Sequence, residues 1–425
     1  MQAWHFSETA YPYLPPADTY PSIRVSLPNR NYDPVKGAAL YDRYLMEWQI
    51  ADEEGLEIML NEHHQTATCV DPAAPLMLAA LARLTTRARL LILGNPVANR
   101  RQPVRVAEEM ALIDVLSKGR LEAGFVRGVP YEISPANSNP VRMNERFWEA
   151  LDLIVKTWQQ HDGPFSHEGR FFHHRNINIW PRPYQAPHPP VWVSTTSAGG
   201  AAEVGAHGYV QATFLTGYEA TRKIYDSYRA AWRKAGRGAD IPINRLAYAA
   251  LVYVGDNEKE AHEGAEKLLW YVTANKVAPQ YANPPGYTPV AGNVAMLRGA
   301  EHPLSAFAKG ASVEAAIRSG FMFAGTPDQV FHQIKRHYEH VGGYGHLLNM
   351  GQAGFLEHDA AAAGIRNFAR YVYPRLKEAF PGATVSGFPC EVPGAPPEEY
   401  VLRSTTRLKS DGPLMPALGG QGVSG

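Results

Sequence analysis

The chain alternates short apolar runs with longer stretches in which apolar residues recur every three to four positions. Apolar runs of this length are typical of buried strands, and the three-to-four spacing is typical of helices with one buried face. Strands that alternate with helices indicate β-α units on a parallel sheet. We predict eight strands, at Gln2–Phe6, Leu56–Asn61, Arg89–Gly94, Leu121–Val126, Pro190–Ser194, Gly208–Phe214, Arg245–Val254 and Tyr344–Met350.

Helices are predicted between these strands. Leu40, Tyr44 and Trp48 lie on one helical face, and Gly55 ends that helix before the next strand begins. Later helices are predicted at Met143–Trp158, Glu219–Lys234, Asp256–Thr273 and Pro327–His340. Eight β-α units predict a (β/α)8 TIM barrel, an α/β fold, over residues 1–380; the alternative is a doubly wound open sheet with a second domain.

Two segments do not fit the repeat. Residues 160–189, before the fifth strand, are rich in proline, histidine and aromatic side chains, and residues 275–318, before the eighth strand, are interrupted by proline and glycine. Long loops of this kind in a compact domain often serve as active-site lids, so we interpret both as insertions. Residues 381–425 contain fifteen Gly or Pro in forty-five positions, which predicts an irregular C-terminal arm.

Charge and cysteine content narrow the class of protein. Lysine plus arginine equals aspartate plus glutamate, 41 against 41, so no basic surface for nucleic acid or an anionic membrane is expected. The two cysteines, Cys69 and Cys390, do not form a disulfide framework. The first residues lack the features of a signal peptide, and no apolar run approaches the roughly 20 residues that span a bilayer. These observations predict a cytoplasmic protein without nucleic-acid or membrane partners.

Candidate binding chemistry follows the predicted strands, where TIM barrels place their active sites. Ser197, Gly199 and Gly200 come after the fifth strand at the start of a helix, and free backbone N–H groups there can bind an anion. Arg127, after the fourth strand, could bind the same phosphate bidentately. The alternative interpretation is an ordinary helix cap and a surface arginine.

Asn61-Glu62-His63-His64 follows the second strand. Adjacent side chains in extended backbone point to opposite sides, so the two histidines are a poor metal site, and we predict no metal. One imidazole could instead act as a general base at the barrel mouth, with Glu62 or Asn61 as its orienting partner. The alternative is a pair of loop histidines with ordinary polar contacts.

Several strings resemble the bacterial luciferase-like flavin monooxygenase family. They include Asn61-Glu-His-His64, Arg101-Gln-Pro-Val-Arg-Val-Ala-Glu-Glu-Met-Ala-Leu-Ile-Asp-Val-Leu-Ser-Lys-Gly-Arg-Leu121, Gly124-Phe-Val-Arg-Gly128, Asn178-Ile-Trp-Pro-Arg-Pro183 and Gly325-Thr-Pro-Asp-Gln-Val330. The resemblance extends from about Trp4 to about Arg370. It implies a TIM barrel, in agreement with the hydrophobic pattern.

The resemblance also implies roles for individual residues. His63 would be the active-site base, with Glu62 as its neighbour. Gly94-Asn95 falls where the family has a non-proline cis peptide under the flavin ring. The residues implied on the phosphate side of FMN are Arg127, Arg146, Ser197, Gly199 and Gly200. The reactive cysteine of luciferase is replaced by Val126, which argues against light emission as the function.

The function implied by the resemblance is that of a two-component monooxygenase. A separate flavin reductase would supply reduced FMN, O2 would add to flavin carbon C4a, and the resulting peroxide would oxygenate a small organic substrate. One alternative is a deazaflavin-dependent hydride-transfer enzyme of the same superfamily, and another is a non-catalytic flavin-binding protein. The family resemblance further implies a homodimer or homotetramer.

Overall fold

The strands form a closed parallel barrel. The computed structural model describes residues 1–274, 277–299 and 307–383, and all of these belong to one compact unit. The strands are β1 Gln2–Ser7, β2 Glu57–Leu60, β3 Leu90–Pro96, β4 Leu121–Val126, β5 Phe165–Glu168, β6 His173–Ile177, β7 Val191–Ser194, β8 Val210–Phe214, β9 Leu246–Val254, β10 Met322–Gly325 and β11 His346–Gln352.

Eight of these strands close the barrel in the order β1, β2, β3, β4, β7, β8, β9 and β11, because β11 pairs with β1 and every neighbouring pair is parallel. They are the eight strands that the hydrophobic pattern predicted, so the (β/α)8 barrel is confirmed and the open sheet is excluded. The pattern missed β10, which pairs with the last four residues of β9. A four-residue apolar run alone does not distinguish a strand from a helix segment.

Helices follow the strands on the outside of the barrel. Asp33 begins the first helix by accepting hydrogen bonds from Val35 N and Lys36 N, and Pro327 begins another after Thr326. The α-helices are α1 Pro34–Glu53, α2 Ala74–Leu84, α3 Pro103–Ser117, α4 Met143–Gln159, α5 Ala198–His207, α6 Gly217–Lys234, α7 Glu258–Thr273, α8 Pro279–Ala282, α9 Val290–Leu297, α10 Val313–Ser319, α11 Pro327–Val341, α12 His358–Asn367 and α13 Tyr373–Ala379. No helix in the described part of the chain is long and apolar enough to cross a membrane.

Both segments interpreted as insertions contain regular structure. The segment before the fifth barrel strand includes the antiparallel hairpin of β5 and β6, and the segment before the eighth includes α8, α9 and α10. The hydrophobic pattern missed the hairpin because its strands are mostly exposed and polar. The predicted C-terminal arm lies outside the described residues, apart from residues 381–383.

Alternate strand residues form two apolar clusters, as the period of two in a strand requires. One cluster packs between the barrel and its helices, and it includes Ala3, Ile58, Leu90 and Leu347. The other fills the barrel interior, and its strand residues include Trp4, Phe6, Met59, Leu91, Leu93, Trp192, Ala212, Ala249 and Leu348.

The amino-terminal end of the barrel is sealed by a buried polar network. Trp4 Nε1 donates to His346 Nδ1 at 3.1 Å, and Trp192 Nε1 donates to the carboxylate of Glu122. Arg89 forms an ion pair with the same carboxylate, and Glu122 is fully buried. A carboxylate at such a position is stable only while its partners remain, because an unpaired buried charge is costly.

The variant Arg89→Met should therefore lower the free energy of unfolding by about 3–5 kcal/mol, because it leaves the Glu122 carboxylate buried without its cation. Arg105→Met is the matched control, since Arg105 is exposed and pairs with Glu109 within one helix; its loss should stay below about 1 kcal/mol. Urea unfolding monitored by circular dichroism measures both values. Equal losses of unfolding free energy in the two variants would contradict the stabilising role of the Arg89–Glu122 ion pair.

Candidate active site

The predicted site residues follow strands that are neighbours in the barrel. The order β2, β3, β4 and β7 places the loops after these four strands side by side at the carboxyl-terminal rim. His63 is in the loop after β2, Gly94 is within β3, Arg127 comes directly after β4, and Ser197 comes shortly after β7. A ligand at this part of the rim could contact all four loops.

His63 is held by two residues of the loop after β4. Its Nδ1 lies 2.9 Å from Glu132 Oε1 and 3.1 Å from the Tyr131 hydroxyl oxygen. Burial raises the pKa of the Glu132 carboxyl, but hydrogen bonding and charge interaction with His63, followed by contacts with His64, outweigh burial and leave that pKa lowered. Glu132 is thus an ionised partner for the imidazole.

Glu62 does not orient His63 through a side-chain hydrogen bond, contrary to the expectation from their adjacency. Glu62 Oε1 lies 3.0 Å from His64 Nε2 and also forms an ion pair with Arg100, and its Oε2 accepts from Ala74 N at 3.2 Å. Neighbouring side chains diverge in an extended segment, which gives Glu62 and His63 separate partners. The hydrogen bond with Glu62 raises the pKa of His64.

Sequence reasoning missed Glu132, Tyr131 and Arg24. Arg24 lies in the loop after β1, is 2% exposed, and donates from Nη1 to the Tyr131 hydroxyl oxygen at 2.6 Å. Glu132 and Tyr131 lie in the same loop as Arg127, only a few residues further on. Inspection of the whole loop, rather than the residues directly after the strand, could have suggested Glu132 as a carboxylate partner.

Gly94 and Asn95 occupy the part of β3 predicted to lie under a flavin ring. A non-proline cis peptide is present, but it joins Leu93 to Gly94, one bond before the predicted position. A Cβ at Gly94 would lie 3.0 Å from Gly124 O, so a side chain there would be tightly packed against the backbone of β4. Asn95 Nδ2 donates to Gly124 O at 3.3 Å and lies 3.8 Å from Met110 Sδ of α3. The Asn95 side chain therefore packs toward that helix.

The loop after β7 leads into α5 with the features of an anion site. Ser197 is the N-cap of this helix, and its hydroxyl accepts from Gly200 N at 3.1 Å. A Cβ built on Gly199 would meet no heavy atom within 4 Å, so the helix start is open to a ligand. Because Gly200 N already donates to the Ser197 hydroxyl, Gly199 is the residue at this helix start whose N–H could bind an anion such as phosphate.

The two predicted phosphate arginines differ in their contacts. The Arg127 guanidinium carbon lies 4.0 Å from the ring centroid of Tyr287, whose hydroxyl donates to Gly128 O at 2.9 Å. Arg146 instead donates from Nε to Ala98 O at 2.8 Å and from Nη2 to Arg100 O at 2.9 Å. Arg127 thus packs against an aromatic ring next to the loop after β4, whereas Arg146 donates two hydrogen bonds that hold the loop after β3.

Asp71 is a further buried carboxyl in the loop after β2. It is 3% exposed, and its Oδ2 has no hydrogen-bond partner within the described ranges. Burial, and then the negative charge of Glu62, raise the pKa of Asp71 to about 7. No group of three or more His, Cys, Asp or Glu side chains among the described residues could hold a metal ion.

Comparison with known proteins identifies relatives of this chain by sequence and by fold. The luciferase-like monooxygenase family model matches residues 24–345. The oxygenase component of flavin-dependent trigonelline monooxygenase from Acinetobacter baylyi is 30% identical over 236 residues, which are 54% of this chain and 63% of that protein. The match thus spans less than two thirds of that relative.

Two solved structures share the fold. The oxygenating constituent of 3,6-diketocamphane monooxygenase from Pseudomonas putida, a type II Baeyer–Villiger enzyme in complex with FMN, superposes with a TM-score of 0.64 at 19% identity, covering 88% of this chain and 98% of that one. An F420-dependent secondary alcohol dehydrogenase superposes with a TM-score of 0.62 at 17% identity, again covering 88% and 98%. At these identities the likeness shows the fold alone.

Asp71 generates a prediction about pH and stability. Its pKa is about 7 in the folded protein and about 3.9 in an unfolded chain. The folded state therefore binds more protons between these values, and the Asp71 contribution to stability falls as pH rises from about 4 to about 7. The free energy of unfolding of Asp71→Asn, relative to that of wild type, should therefore rise by about 2 kcal/mol between pH 5 and pH 8.

Denaturant unfolding of both proteins at the two pH values measures this difference. Asp240→Asn makes the same chemical change at an exposed aspartate and should track wild type at both pH values. A constant difference between Asp71→Asn and wild type would show that Asp71 titrates normally.

Proposed function

Because the chain belongs to the luciferase-like monooxygenase family, we propose that it is the oxygenase of a two-component system that takes reduced FMN from a separate flavin reductase and uses O2 to oxygenate a small organic substrate. The relative from Acinetobacter is itself described as an oxygenase component, which supports a reductase partner. The family match supports an enzyme of the luciferase-like oxidoreductases; the enzymatic activity, the cofactor and the reaction are our proposal.

The observation that carries the proposal is that the base and the anion site follow strands on the same side of the barrel. His63 follows β2 and the open helix start at Ser197 follows β7, with only β3 and β4 between them. An elongated cofactor with a phosphate at one end and a reactive ring at the other could lie along these four strand ends. Gly94 belongs to β3, one of the two strands between β2 and β7.

Each group has a separate task in this proposal. Ser197, Gly199 and Gly200 would bind the FMN phosphate at the start of α5, and Arg127 would neutralise it. Bound reduced FMN would supply the electrons and the ring position at which O2 reacts. His63 would exchange a proton through its Nε2, since its hydrogen bonds to other described residues involve Nδ1.

Two alternatives share the fold and make different predictions. A deazaflavin-dependent enzyme transfers hydride without O2, and the likeness to the F420-dependent dehydrogenase concerns the fold alone. A non-catalytic flavin-binding protein would hold FMN without changing its reaction with O2. The hydrogen bonds that hold His63 favour catalysis. Reaction with O2 separates the monooxygenase from the other two possibilities, and titration with F420 separates those two from each other.

Removal of the Arg127 charge should weaken binding through the phosphate. Arg127→Gln is expected to raise the Kd for FMN about tenfold or more, because charge-assisted hydrogen bonds contribute about 1.5–3 kcal/mol. The Kd for riboflavin, which lacks the phosphate, should stay unchanged. Quenching of flavin fluorescence measures both constants. Arg182→Gln, at an exposed arginine, is the control and should bind both flavins like wild type.

The reaction with O2 tests the function itself. Wild-type protein is loaded anaerobically with reduced FMN and mixed rapidly with oxygenated buffer. The bound FMN should become oxidised more slowly than free reduced FMN, and the flavin absorbance should pass through a separate kinetic stage. The Kd of His63→Ala for FMN should stay within about twofold of the wild-type value. The rate of that stage should fall about a hundredfold, which is the size of a general acid–base contribution.

Reoxidation at the rate of free FMN would contradict the monooxygenase proposal. The deazaflavin F420 would then be titrated, and reduction of bound F420 by alcohols without O2 would establish the hydride-transfer alternative. A His63→Ala protein that behaves like wild type would overturn the role of His63 while leaving FMN as the cofactor.

A further inference from the structure

The His63 imidazole is held by a chain of side chains from two other loops, those after β1 and β4. We propose that Glu132 is a positioning residue that keeps the proton of neutral His63 on Nδ1, and that Arg24, acting through Tyr131, holds the phenol against the same nitrogen. This inference rests on the proposed function, because the proton matters only if His63 reacts through Nε2. It adds three residues from outside the loop that carries the base.

Competition at Nδ1 decides where the proton lies. A ring nitrogen of neutral histidine is either a donor or an acceptor, and Nδ1 has two partners, Glu132 Oε1 at 2.9 Å and the Tyr131 hydroxyl at 3.1 Å. An ionised carboxylate can only accept. Protonated Nδ1 can donate to both oxygens, whereas unprotonated Nδ1 would set its lone pair against the carboxylate. The geometry therefore favours the tautomer with the proton on Nδ1.

The Glu132 carboxylate is itself fixed in place. It is 2% exposed, and Oε1 also accepts from His64 N at 3.0 Å. The backbone donor and the imidazole both stabilise the ionised form, so the carboxylate remains an acceptor although it is buried. These contacts keep the Glu132 carboxylate from rotating away from His63, as the role of a positioning residue requires.

Arg24 determines how the Tyr131 hydroxyl is used. Its guanidinium donates to the phenol oxygen at 2.6 Å and lies 4.7 Å from the ring centroid, so the hydroxyl is an acceptor on that side. Burial raises the pKa of Tyr131 well above its ordinary value, and the phenol stays neutral. The oxygen can accept from both Arg24 and protonated Nδ1, which again agrees with the proton on Nδ1.

The consequence is a link between the loop after β1 and the reactive nitrogen. With the proton on Nδ1, Nε2 carries the lone pair and can take a proton from a bound ligand. Arg24 lies 107 positions from Tyr131 along the chain, so the loop after β1 must be in place for the full arrangement to form. The base is therefore complete only when all three loops are folded onto the rim.

Nitrogen NMR of the free protein tests the proposal without any cofactor. The ¹⁵N shifts of the two ring nitrogens distinguish the two tautomers, and the His63 signals can be assigned by their loss in His63→Gln. In alkaline buffer, wild-type His63 should carry its proton on Nδ1. Glu132→Gln should shift the population toward protonated Nε2, because a glutamine amide can turn its NH2 group toward an unprotonated Nδ1.

Two further variants make the result specific. Glu168→Gln removes a carboxylate from His173 Nδ1, a pair at 3.2 Å on the exposed hairpin, and should leave the His63 signals unchanged. Tyr131→Phe removes the hydroxyl but keeps Glu132, so the proton should stay on Nδ1. Circular dichroism of each variant confirms that it is folded.

The outcomes separate this inference from the proposed function. Unchanged His63 tautomers in Glu132→Gln would overturn the role of Glu132, whatever the protein binds. If the NMR result agrees but reduced FMN fails to bind wild type, the positioning stands and the proposed cofactor is wrong. If both agree, Glu132→Gln should lower the rate of the O2-dependent stage about tenfold or more at unchanged FMN affinity.

Discussion

Closure of the parallel sheet is the constraint on which the rest of this structure depends. Since all eight barrel strands run in one direction and β11 returns to β1, every strand must end at the same rim. Loops from distant parts of the chain therefore meet there, as in other barrels of this type. The helices outside and the apolar residues inside hold this frame rigid, and the loops can then carry polar chemistry.

The two ends of the barrel use buried charge in different ways. At the amino-terminal end, Glu122 is enclosed by Arg89 and Trp192, and these contacts seal the interior. At the carboxyl-terminal rim, buried Glu132 and Arg24 surround His63, whose side chain is still 17% exposed. A buried ion pair is costly to break because it leaves one charge unpaired, whereas charged groups near one accessible imidazole can set which of its nitrogens carries the proton.

The rim also separates two kinds of recognition. The start of α5 offers backbone N–H groups and an open glycine, which suit a phosphate of almost any ligand. The loops after β1, β2 and β4 instead fix one side chain through specific hydrogen bonds. Changes at the start of α5 can therefore alter the affinity for a phosphorylated cofactor without altering which His63 nitrogen carries the proton, and the reverse also holds.

The sequence alone was sufficient for the barrel and for the residues at its strand ends. The eight strands follow from local hydrophobic period, and Ser197, Gly199 and Gly200 follow from the local preferences of a helix start, so no knowledge of distant contacts was needed. The strand-end position drew attention to the two histidines after β2, and the choice of His63 as the base came from the family resemblance. The tertiary structure alone decided its partners, since Tyr131 lies 68 positions from His63, and Arg24 lies 107 from Tyr131.

The direction of individual side chains was likewise decided by tertiary structure. Strand period predicts which face a residue occupies only while the strand is regular, and the pairing register of β3 shifts between Ile92 and Asn95. Asn95 consequently packs toward α3 instead of the rim. Local sequence thus determined the eight barrel strands and not β10 or the exposed hairpin, whereas the partners of each buried polar group depended on how the closed sheet brings separate loops together.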